Sequence, residues 1–150
     1  MFRTVLAFWL ILASPCRGES LLPLVEPERF IGDRLAGSLT GSQGSADRGR
    51  EVFVSRDAGH CVLCHSVRSL DVPFQGTVGP DLSAVGGRLS RDQIRLRIVD
   101  FSRINPDTLM PPYYRIAGLR QVAPQYDGQP VLTAVQVEDL VAYLATLTDE

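Results

Sequence analysis

The sequence predicts an all-α domain of few helices joined by long loops. Two capping boxes each open an amphipathic stretch, the segments between are rich in Gly and Pro without strand-like alternation, and 150 residues suit about one domain. Residues 46 to about 56 read as the first helix, with Gly49 and Phe53 four apart on one face and Val52 beside them. Residues 61–65 read as a short turn. Ser90-Arg91-Asp92-Gln93 is the first capping box, and Ile94, Ile98 and Phe101 follow at helical spacing until Asn105-Pro106 stops the helix. Thr133-Ala134-Val135-Gln136 is the second, opening a helix in which Val137, Leu140, Val141 and Leu144 recur at i, i+3, i+4 and i+7. Glu138-Asp139 reads as a solvated face near the start of that helix, where acidic residues suit its dipole. Residues 75–87 and 111–130 are expected to be loops, and loops of that length in a compact domain usually serve a site.

Residues 1–18 have the layout of a secretory signal peptide: Arg3, a short apolar run from Val5, and small residues near Gly18. The run is about half the roughly 20 residues that span a bilayer, so the mature protein is expected to have no membrane span. Lipidation at Cys16 is the weaker reading, because Pro15 stands where a small residue belongs. Residues 19–44 read as an N-terminal extension ending in a Gly/Ser/Thr connector, and 45–150 as the domain. All 15 basic residues are Arg, against 17 Asp and Glu. Removing the leader leaves 13 Arg and a charge of −4, with no basic footprint for nucleic acid. Export points to a periplasm.

Without the leader the only thiols are Cys61 and Cys64, in Cys61-Val62-Leu63-Cys64-His65. C-x-x-C-H is the attachment motif of haem c: two thiols add across the vinyl groups, and the adjacent His binds the iron. Zinc would need further Cys or His, and only His60 remains. A thioredoxin-like pair expects a βαβ context, and a plain disulfide leaves His65 unexplained. His60 is tethered near the haem edge by the motif it precedes and reads as a loop-packed imidazole. With no Lys and no other His, Met110 is the remaining strong-field side chain, since Met1 leaves with the leader. Pro111 and Pro112 stiffen the backbone beside it. A Met in general is more often core filler, but here His65 and Met110 are expected as axial ligands, and the thioether raises the reduction potential.

The order of C-x-x-C-H, Gly79-Pro80-Asp81-Leu82, a Met in a Pro-rich loop and a terminal amphipathic helix resembles the class I cytochrome c fold. That resemblance implies a crossing of the first and last helices, with Gly49 and Phe53 against Leu140 and Tyr143 or Leu144. It also implies that the Pro80 carbonyl accepts the Nδ1 proton of His65, leaving Nε2 for iron.

The strings from Phe74 to Leu82, Arg97-Ile98-Val99-Asp100, from Asn105 to Tyr114, and from Val131 to Leu144 further resemble the SoxX family, the small cytochrome subunits of the SoxAX complex of bacterial sulfur oxidation. The likeness runs from about Leu39 to Leu147. It implies an electron-transfer subunit of a heterodimeric S-thiosulfotransferase that couples thiosulfate to a cysteine of the carrier SoxYZ. A SoxA-like cytochrome subunit would bear the catalytic residue, and a soluble cytochrome c would accept the electrons. This chain's own residues supply no substrate-activating group, so no catalytic residue is assigned here. A free-standing electron carrier and a haem-based sensor are the alternatives. The aromatics Phe74, Tyr113, Tyr114 and Tyr126 are expected to pack on haem rather than on a partner.

Overall fold

The computed structural model describes residues 24–148; the leader assigned to residues 1–18 lies outside them. Among the described residues four α-helices carry the fold: α1 (Ala46–Val54), α2 (Val85–Arg88), α3 (Arg91–Asp100) and α4 (Ala134–Leu144). A two-residue antiparallel hairpin, β1 (Phe30–Ile31) and β2 (Arg34–Leu35), precedes them with Phe30 opposite Leu35. Gly32, at φ +58°, turns it.

Both capping boxes form. Ser90 and Gln93 exchange side-chain-to-backbone bonds at the start of α3, and Thr133 and Gln136 do so at α4. Two helices stop earlier than their sequences suggest. The Ser55 hydroxyl accepts the N–H groups of Asp57 and Ala58, diverting the chain after Val54. Asp100 leaves helical geometry (φ −165°, ψ 86°), its carboxylate taken by Ser102 and Arg115, and a 3₁₀ turn at Phe101–Arg103 replaces the expected last turns. The opened carbonyls of Ile98 and Val99 accept instead from Tyr113 and Tyr114, which pins the loop after Met110 to the end of α3.

α1 crosses α4 with no room between them. A β-carbon on Gly49 would lie 1.9 Å from the Asp139 carbonyl oxygen, while Phe53 meets Tyr143 at 5.6 Å between ring centroids. Leu35, Phe53, Val62, Val67, Ile94, Leu96, Leu132, Val137 and Leu140 form the buried centre. The expected pairing of Gly49 and Phe53 with the last helix is therefore present.

Glu138 and Asp139 correct the sequence reading. Neither is solvated: each is only 2–3 % exposed. Glu138 accepts Arg95 Nε at 2.7 Å and the Leu39 N–H at 2.9 Å, and Arg95 in turn reaches the Leu35 carbonyl and Asp92. Asp139 accepts the Ser45 N–H at 2.6 Å and a bidentate pair from Arg48. α4 is enclosed by α1, α3 and residues 39–45, so its acidic residues serve as buried fasteners. Two further departures are the hairpin, within the N-terminal extension of a chain expected to be all-helical, and α2, which overlaps the end of the 75–87 segment read as loop.

Candidate functional site

The C-x-x-C-H segment folds as a 3₁₀ turn over Cys61–Leu63, entered through His60 in the left-handed region (φ 57°). Cys64 and His65 donate their N–H groups to the Cys61 carbonyl. This turn sets both thiols and the imidazole on one short arc. Cys61 packs beside the core, Cys64 is exposed, and the thiols are not bonded to each other. Burial pushes the Cys61 thiol up to about 12, the reverse of the depressed value of a reactive redox cysteine. Among the described residues no group of three or more His, Cys, Asp and Glu gathers that could hold a metal ion by itself.

His65 is held from one side. Its Nδ1 lies 2.8 Å from the Pro80 carbonyl oxygen, so Nδ1–H donates there and Nε2 keeps its lone pair. Gly79 lies against the ring, where a β-carbon would come within 2.3 Å of Cε1, and its N–H donates to the Cys64 carbonyl at 2.8 Å. These contacts suit an imidazole ligating through Nε2, with two thiols placed for thioether bonds. The chemistry of the residues therefore fits haem c.

The loop from residue 66 to 83 is braced by side chains that carried no role in the sequence. Gln75 accepts the Val67 N–H at 2.7 Å and donates to the Leu70 carbonyl at 2.8 Å. Ser66 and the Ser83 N–H both donate to Asp81, whose carboxyl is held below its ordinary range chiefly by Ser83. A polar Gln between Phe74 and Gly76 was the available clue, but its partners lie five and eight residues away in irregular chain.

The structure brings Cys61, Cys64, His65 and Pro80 together. Met110 packs, half-buried, against the same core as Cys61, with its N–H donated to Thr108 Oγ1 at 3.1 Å. Three residues on, Tyr113 is buried, its backbone tied to Ile98 and Leu132. Phe74, by contrast, is 89 % exposed.

The family described as Cytochrome c matches residues 46–148. Among solved structures, the chain is similar to one in the crystal structure of SoxXA from P. pantotrophus, with 31 % identity and a TM-score of 0.75 over 80 % of this chain and 93 % of that one. A second similarity is to the c-type cytochrome SorU from Sinorhizobium meliloti, with 22 % identity and a TM-score of 0.44 over 69 % and 90 % of the two chains. No curated protein sequence matches.

Proposed function

The chain belongs to the cytochrome c family, and from that premise we propose that it is the electron-transfer subunit of a SoxAX-type complex. It carries one covalently attached haem c. The observation that carries the proposal is the likeness to a SoxXA chain over nearly the whole of that chain.

Haem c supplies a one-electron ferric/ferrous couple. In the proposed site Cys61 and Cys64 would hold it through thioether bonds and His65 Nε2 and Met110 Sδ would ligate the iron, while the Pro80 carbonyl keeps the His65 Nδ1 proton in place. A thioether ligand favours the ferrous form, which suits an electron acceptor. With His65 and Met110 both bound to the iron, no position would be left there for substrate. Bond formation belongs to a SoxA-type partner. There the outer sulfur of thiosulfate joins a carrier cysteine thiol on SoxYZ, releasing two electrons and one proton. This chain would pass the electrons on singly to a soluble cytochrome c. The proposed setting is the periplasm, after removal of residues 1–18; no helix among the described residues is long and apolar enough to cross a membrane.

The test is purification of a tagged full-length chain from the periplasm of its thiosulfate-grown host. A stoichiometric second haem protein, with reduction of this chain's haem by thiosulfate plus carrier, is expected. A haem-loaded monomer without a partner at any salt concentration would instead mark a free-standing carrier.

A further inference from the structure

The geometry points to a second binding site, for a small apolar monocarboxylate, in the pocket at the end of α3, between the N-terminal segment and the loop after Met110. This site stands independently of the SoxAX-type reading. The pocket has a volume of about 280 Å³, just below the usual range of small-molecule sites. Leu24, Phe30, Val99 and Ile116 belong to its apolar walls, and among the described residues its charged lining consists of Asp100, Arg103 and Arg115. Two guanidiniums against one carboxylate leave one positive charge unmatched.

The haem motif takes no part in this pocket. None of Cys61, Cys64, His65, Pro80 and Met110 lines it. Tyr113 is the neighbour of the two thiols: burial, and then the nearness of Cys61 and Cys64, push its hydroxyl up. Tyr114 lines the pocket instead, its N–H donated to the Val99 carbonyl at 3.3 Å. The loop after Met110 thus gives one tyrosine to the attachment turn and the next to the pocket.

The charges are held in place while their donors are only partly used. The Asp100 side chain, 3 % exposed, accepts from Arg115 Nη1 at 2.9 Å and lies 3.6 Å from Arg103 Nε. Arg115 Nη1 also donates to Ser102 Oγ at 3.2 Å, yet Arg115 Nε is buried with no hydrogen-bond partner among the described residues. Native proteins leave few such donors, because an unpaired one is costly. The Arg103 guanidinium carbon stands 3.7 Å from the centroid of the Phe30 ring, which fixes that group, and its approach to Asp100 through Nε leaves the two Nη groups for another acceptor. Both arginine side chains remain partly exposed, at 48 % and 34 %, so a solute can reach them.

A monocarboxylate matches this set. It carries the single negative charge that is missing, its two oxygens fit a guanidinium fork, and an apolar body gains by burial against Phe30, Val99 and Ile116. A doubly charged oxyanion would leave negative charge in excess and has nothing to set against those walls.

Calorimetric titration of the haem-loaded chain, as purified after export, with benzoate tests the site. One saturable site per chain is expected. Benzamide, with the same shape and no charge, and acetate, with the charge and no ring, should each bind at least about tenfold more weakly. Arg103→Met and Arg115→Lys should each weaken benzoate binding by at least about tenfold, with the haem spectrum as in the parent. Arg50→Met, an exposed change on α1 outside the pocket, should bind as the parent does. Should Arg115→Lys fail to load haem, Arg103→Met decides alone, since Arg103 is half exposed and meets Asp100 only at the longer distance. Absence of saturable binding overturns the inference. Equal binding of benzamide would mean that the charge is not read, and equal binding of acetate would mean an adventitious ion only; either overturns it. Unchanged affinity in the arginine variants, or a haem spectrum altered by benzoate, would place the ligand elsewhere and overturn it as well.

Discussion

Gly79 lies so close to the His65 imidazole that a β-carbon on it would stand 2.3 Å from Cε1 and 2.5 Å from Nδ1. Gly79→Ala must therefore move either the ring or the backbone that leads to the Pro80 carbonyl. The expected result is a lower yield of haem-loaded protein and a shifted reduction potential, read by haem content per chain and by redox titration. A variant with parental yield and potential would show that this contact does not orient the ring.

Met110→Ala tests the proposed second axial ligand. Loss of the thioether should lower the potential by more than about 59 mV, a tenfold change in a one-electron equilibrium, or leave the ferrous iron open to carbon monoxide. An unchanged potential together with an unchanged low-spin spectrum would assign that ligand elsewhere.

At the helix crossing, Gly49→Ala places a methyl group 1.9 Å from a backbone oxygen, with Tyr143 Cβ at 2.7 Å. Both neighbours belong to a packed helix, so α1 and α4 must separate, at a cost of about 3 kcal/mol or more. Gly118→Ala is the control: nothing lies within 4 Å of the new carbon, and its φ of +69° alone costs about 1 kcal/mol. Denaturant unfolding of the haem-loaded proteins should separate the two.

Removing the charge of Glu138 leaves Arg95 buried without its main counter-ion. Glu138→Ala should destabilise by about 3–5 kcal/mol. Adding Arg95→Met should recover only part of this, because the Leu39 N–H and the Leu35 carbonyl also lose partners. Full recovery in the double variant would mean that the pair matters as charges alone.

Asp139 gives the fold an acid dependence. Burial by itself would raise its carboxyl, but Arg48 and the Ser45 N–H outweigh that and hold it below the ordinary carboxylate value. The folded state thus favours the ionised form. The stability this supplies is complete above the unfolded value near pH ~4 and is lost as the pH falls through the lower folded value. Asp139→Asn should be less stable than the parent at pH 7, and the gap should narrow in acid. A constant gap across that range would place the cost in packing.

What could be read from the sequence was local. Each capping box pairs residues three apart, and the haem motif is five consecutive residues, so neither needed tertiary information. α2 was hidden because Val-Gly-Gly-Arg is a poor helix former. It helix-packs because Gly86 fits where a β-carbon would meet the Ala145 carbonyl at 2.5 Å, and its N–H finds the Leu147 carbonyl. The hairpin has too few residues to show an alternating pattern. Glu138 and Asp139 were misread for a related reason: an acidic pair looks solvated until its cations are known, and Arg48 and Arg95 stand 91 and 43 residues away. Arg95, set between Ile94 and Leu96, was the available hint.

The two carboxylates of α4 also bear on how the protein comes apart. Through them α4 grips backbone N–H groups 99 and 94 positions earlier in the chain. Closing loops of that size is slow, and the contacts repay the lost chain entropy only when all are made. Residues 39–48 and α4 should therefore exchange their amide hydrogens at one common rate, opening as a single cooperative unit, with no fraying of α4 on its own.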